Sequence, residues 1–252
     1  ALEWSKRLGD QAMKCRSLNT LGWIYAELYN LVPAVRYNEE GLAASLKTGD
    51  PEIIRNAQIN LGDCCLLQGD LDRAQAILEK VYRDCQKRGK WGEEWMKWRY
   101  MQHCCHSLGE VWLTKGDVEK ALAFAAECLQ LAEPTQSRKN VVKGWRLRGQ
   151  AYLAQGKIAE AEEWLKKAIA LAQEIGNPPQ LWKTYEARAE LHERTGEIEA
   201  ARLDFANAIE VAEDTAARLQ DQSIKQTFLL AQPVQRIRAC LDRLGGKSAV
   251  QK

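Results

Sequence analysis

A set of small residues recurring in register constrains this 252-residue chain more than any other feature. Ala34, Ala74, Ala121, Ala161 and Ala201 are separated by 40, 47, 40 and 40 residues. Twelve residues before each stands a second small residue: Gly22, Gly62, Gly109, Gly149 and Ala189. Three residues further on come Tyr25, Cys65, Trp112, Tyr152 and His192. Turn residues precede each Ala: Tyr29-Asn30, Gly69-Asp70, Gly116-Asp117, Gly156-Lys157 and Gly196-Glu197. Gly9, Gly49, Gly89 and Gly176 mark the junctions between repeats. Columns that agree in phase at this period predict stacked supersecondary units rather than a single closed core.

Each column has a physical reading. Apolar residues such as Trp145, Tyr152, Leu165 and Ala168 recur at helical spacing on both sides of Gly156, which predicts an antiparallel hairpin of two helices, A and B. Gly or Ala at the two small positions lets the partner backbones approach, while the aromatics fill the space beside them. Asp50-Pro51 and Asn177-Pro178 place a capping side chain before a Pro at the first helical position. One hairpin cannot bury both faces, so neighbours must stack.

The run Trp145-x2-Arg148-Gly149-x2-Tyr152, followed by Ala161, Leu165 and Ala168, resembles the tetratricopeptide repeat over roughly residues 2–217. The 40-residue period is longer than that family's usual 34 and is similar to the long-period arrays of bacterial regulatory proteins. The resemblance implies an all-α solenoid of stacked antiparallel hairpins with C-terminal capping helices. Its expected organisation is the end of a truncated preceding repeat (1–10), five hairpins (11–217), capping helices split by Pro233 (218–244) and a frayed tail (245–252). The phase at Leu2-Glu3-Trp4-Ser5 is that of a helix B already under way, so the expectation is a piece of a longer parent. The 47-residue interval predicts a third helix A lengthened by about two turns, roughly 10 Å. Trp91, Trp95 and Trp98 would form a ridge along it, packed against Val81 and Cys85, serving as a docking surface, or both.

Composition excludes several function classes. With 36 Lys+Arg against 34 Asp+Glu, nothing favours a nucleic-acid partner, and the longest apolar runs are too short to span a bilayer. The eight Cys are expected as reduced thiols of a cytoplasmic protein. His103-Cys104-Cys105-His106 offers four metal-ligand types, but consecutive helical residues diverge by about 100° and cannot share one ion. His192-Glu193 lacks a second His, and Gly246-Lys247-Ser248 lacks the rest of a phosphate loop. Neither an enzyme, a metal site nor a cofactor is expected.

The resemblance instead implies a groove lined by the A helices. Its columns carry over as Arg16, Asn19 and Trp23, then Asn56, Asn60 and Asp63, then His103, His106 and Glu110. Lys143, Arg146 and Gln150 follow, then Lys183, Glu186, Glu190 and Arg194. The Asn amides suit a peptide backbone, and the cations from His103 to Arg146 suit an acidic or carboxylate-bearing protein or peptide. Arg146, expected to have no packing duty, is the strongest single candidate. Trp23 stands where the carboxylate clamp of chaperone adaptors has an Asn. Two functions remain open: an interaction scaffold acting as the regulatory arm of a larger bacterial signalling protein, in contact with that parent's other domains, and a small-peptide sensor of the quorum-sensing receptor type.

Overall fold

Capping chemistry sets where the helices begin. Asp10, Asp50, Asp70, Asp117, Asn177 and Asp221 each accept a backbone N–H from the first turn of the helix that follows, satisfying groups that otherwise lack a partner. The computed structural model of the chain describes residues 1–87 and 97–247, apart from the side chains of residues 6, 97, 98, 246 and 247. Every regular element among the described residues is helical. The chain divides into two compact units, Ala1–Thr135 and Gln136–Lys252.

The first unit opens with α1 (Leu2–Leu8), α2 (Gln11–Glu27), α3 (Leu31–Thr48), α4 (Pro51–Leu67) and α5 (Leu71–Gln86). A π-helical turn at Lys97–Met101 leads into α6 (Gln102–Thr114), which α7 (Val118–Ala132) follows. The helices pair as α2/α3, α4/α5 and α6/α7, and α4 also packs on α2, α3 and α6. A core of this unit joins Leu78, Val81 and Cys85 of α5 to Cys104, Cys105 and Leu108 of α6 and Cys128 of α7. Trp91 and Trp95, the expected ridge and the protruding extension lie outside the described residues, as does the side chain of Trp98.

The second unit contains α8 (Arg138–Ala154), α9 (Ile158–Glu174), α10 (Pro178–Thr195) and α11 (Ile198–Ala217), paired as α8/α9 and α10/α11. Two closing helices follow, α12 (Gln222–Leu229) and α13 (Gln232–Lys247), both packed on α11. Pro233 does not split them as expected. It sits in the first turn of α13, where a missing N–H costs nothing. That helix also continues to Lys247, three residues into the stretch expected as tail. Val234, Ile237 and Leu244 of α13 are buried.

The small columns do what close approach requires. A Cβ on Gly149 would lie 2.7 Å from Leu165 Cγ, and one on Gly62 would lie 2.7 Å from Leu78 Cγ. In the first hairpin the facing residue is Asn38, and a Cβ on Gly22 would sit 2.3 Å from its Oδ1. Among the described residues no helix is long and apolar enough to cross a membrane.

Candidate functional site

Three polar columns run along each helix A: six residues before the small position, three before it, and one after it. They do not share one environment. The middle column is closed, since Asn19, Ile59, His106, Arg146 and Glu186 are all buried. Arg16 and Trp23 of the outer columns are exposed, and Asn56, Asp63, His103, Glu110, Gln150, Lys183 and Glu190 are half-buried. Lys143 is the exception among the outer positions and is buried. Arg194 is exposed.

In the first unit two of the three asparagine amides expected to serve a peptide, those of Asn19 and Asn60, are spent inside the protein. Asn19 Nδ2 donates to the Ile53 carbonyl at 3.1 Å. Asn60 Nδ2 donates to the Asn19 carbonyl at 3.1 Å and to Asn38 Oδ1 at 3.1 Å. Asn38 donates in turn to the Ala34 carbonyl. These contacts tie α2, α3 and α4 together. Asn60 stands one residue out of the groove register, which Ile59 occupies, so it faces the neighbouring helices. Asn56 remains half-buried at the outer column.

The His103-Cys104-Cys105-His106 run disperses. His103 Nε2 lies 2.8 Å from Asp63 Oδ2, and His106 Nε2 lies 3.3 Å from Glu110 Oε1. Cys104 Sγ donates to the Leu78 carbonyl, and burial pushes the Cys104 and Cys105 thiols well above their ordinary range. Such thiols are poor nucleophiles and poor ligands. Among the described residues no group of three or more His, Cys, Asp or Glu converges on a point where an ion could sit.

One polar cluster among the described residues is not singled out by sequence spacing. Arg16 grips Glu52 with its fork, Nη1 to Oε1 at 2.8 Å and Nη2 to Oε2 at 2.6 Å. The Tyr100 hydroxyl donates to Glu52 Oε1 at 2.7 Å, and Arg99 Nε lies 3.8 Å from the same oxygen. Arg16, with help from Tyr100 and Arg99, holds the buried Glu52 carboxyl below its usual range. An acid in the first turn of a helix is ordinary, so Glu52 gave no signal. Arg99 and Tyr100 lie within the irregular 47-residue interval and fall in no column.

In the second unit, Arg146 corrects its expectation. It is buried and donates from Nη1 to Oε1 of the fully buried Gln180 at 2.7 Å, tying α8 to α10. Glu186 is likewise engaged, accepting from Arg236 of α13 at 2.7 Å and 3.1 Å. Burial pushes the Glu186 carboxyl up, against the pull of Arg236, Lys183 and Arg146. Glu190 is pushed up to about 6 by burial and then by Glu186, with Arg236 3.8 Å away. Arg243 of α13 forks onto Glu193, and Arg238 pairs with Glu213 of α11 at 2.8 Å.

Comparison with known proteins agrees with this architecture. A tetratricopeptide repeat model matches residues 103–174 and 140–214, and a second one matches residues 56–80. No curated protein matches the chain. Among solved structures, the Rap protein complexed with Competence and Sporulation Factor is 16% identical with a TM-score of 0.63, covering 99% of this chain and 69% of that one. A thermophilic tetratricopeptide repeat protein of Thermus thermophilus is 20% identical with a TM-score of 0.58, covering 86% of this chain and 98% of that one. A signal transduction ATPase with a tetratricopeptide repeat sensor, from Pyrococcus horikoshii, is 17% identical with a TM-score of 0.56, covering 96% of this chain and 37% of that one. At these identities the likeness is one of fold.

Proposed function

Because this chain belongs to the tetratricopeptide repeat family, we propose that it is a non-catalytic, cytoplasmic interaction arm that docks a protein or peptide on the outer columns of its A helices. The observation that carries this reading is the division of labour among the columns. The middle column is consumed by packing between helices, whereas the outer ones present Arg16, Trp23, Asn56, Asp63 and His103 at a polar surface of the first unit. Trp23 supplies broad contact area at little entropic cost, and the flanking polar groups supply direction. A regulatory role within a larger signalling protein is part of the same proposal, supported by the fold likeness to a signalling ATPase that carries a tetratricopeptide repeat sensor.

A second reading, a sensor for a small peptide, draws on the fold shared with a Rap protein complexed with a factor. The Asn19 and Asn60 amides that motivated it are engaged within the unit, which favours the broader docking reading.

The test is selection of peptides from a displayed random library on the intact chain, followed by calorimetry. A selected peptide should lose at least tenfold in affinity, about 1.4 kcal/mol, on Trp23→Ala or Asn56→Arg. The same peptide should bind Leu203→Ser, altered on an exposed helix B position, at full strength. Full affinity in both A-helix variants would sink the proposal.

A further inference from the structure

Glu52 is held as an acidic ligand would be held. A bidentate guanidinium, a phenol hydroxyl and a second guanidinium surround its carboxylate, drawn from α2 and the π-helical turn. The turn matters because adjacent residues of an α-helix diverge, yet Arg99 and Tyr100 both reach Glu52 Oε1. Widened turns of this kind recur at functional sites.

The donors around Glu52 outnumber what one carboxylate accepts. Each guanidinium carries five N–H groups, and Arg16 commits one from each terminal nitrogen to Glu52. The side chains of Arg16 and Arg99 remain 49% and 53% exposed, against 12% for Glu52. The buried acid is therefore shielded, and the solvent sees the outer edges of two cations. Arg16 also feels Asp50, whose carboxylate is occupied by the Glu52 and Ile53 amides at the head of α4.

We propose that Arg16 and Arg99 form a carboxylate-recognition pair for an acidic peptide, with Glu52 as a resident competitor that occupies part of the site until such a ligand arrives. The inference rests on the outer columns being the partner surface and adds the chemistry of the partner. It also makes Glu52 a determinant of affinity: the chain weakens its own grip on acidic ligands by supplying one of its own.

The probes are fluorescein-labelled peptides of alternating Glu and Gly, with Gln–Gly and Lys–Gly counterparts, titrated by anisotropy against the intact chain at low salt. The Glu–Gly peptide should bind at least tenfold tighter than the Gln–Gly peptide. Arg99→Gln, at an exposed residue, should weaken it at least fivefold. Glu52→Gln should strengthen it at least threefold, because a neutral amide no longer competes for the arginines. An unchanged or weaker Glu–Gly affinity in a folded Glu52→Gln protein would overturn the resident-competitor role. No preference for Glu–Gly, or full affinity in Arg99→Gln, would overturn the recognition pair. If Trp23→Ala then still weakens the library-selected peptide at least tenfold, the partner surface stands without the carboxylate chemistry; if it does not, both readings fall.

Discussion

Arg146 and Gln180 are both buried, and the bond between them gives each polar group its partner across two helices. Removing the donor leaves a buried amide oxygen unsatisfied, and a carboxylate in its place would face the crowded Glu186. Arg146→Glu is therefore expected to destabilise the second unit by about 2 kcal/mol or more, read as a lowered denaturation midpoint in urea. A midpoint within error of wild type would mean the bond carries no weight. The same residue explains a limit of sequence reading. The repeat register shows that Asn19, His106, Arg146 and Glu186 hold the same position on their respective helices. Whether that position faces water or the first turn of the next A helix depends on a contact 34 residues away, as in Asn19 to Ile53 and Arg146 to Gln180. The repeat itself was legible because its columns are set by contacts within one hairpin.

At the scale of the helix pair, the small columns decide how near two backbones come. Gly149 faces the Leu165 side chain and the Ala161 carbonyl, with Ala161 fully buried on the opposing helix. Gly149→Ala should cost about 1–3 kcal/mol, because the added methyl must displace a leucine that has little room to turn. An unchanged melting temperature would refute the close-approach argument. The first hairpin solves the same problem with an amide, Asn38 standing where Leu78 and Leu165 stand in other hairpins. That substitution is visible in the aligned columns, but its partners Asn19 and Asn60 are not. The turn residues were equally legible: Gly69, Gly116, Gly156 and Gly196 have positive φ, and Tyr29 takes the left-handed conformation where the first hairpin lacks a glycine.

For the molecule as a whole, two groups of carboxylates oppose each other in pH. Glu190, and with it Glu186, takes up a proton more readily in the folded chain than in the unfolded one, whose glutamates titrate near 4.3. Stability from Glu190 therefore rises as pH falls through about 6 and levels off below the unfolded value, and Glu186 contributes in the same direction. Glu52 is shifted the other way by Arg16, so its contribution is present above the unfolded value and is lost as pH drops through its lower folded one. The melting temperature should accordingly be higher at pH 5.5 than at pH 7.5 and should fall again in stronger acid. Glu190→Gln should flatten the first rise in calorimetric scans, and a rise of full size in that variant would exclude Glu190 as its source. Glu52 has one more consequence. It lies on α4, and its partners lie on α2 and on the turn entering α6, so a single carboxylate rivets A helices of three consecutive hairpins. Stacked hairpins bend by opening or closing the angle between neighbours, as the leaves of a fan do. If an acidic ligand drew Arg16 and Arg99 outward from Glu52 as proposed, it would pull on the pivot of that fan, and occupancy at one point of the first unit would be transmitted as curvature along it.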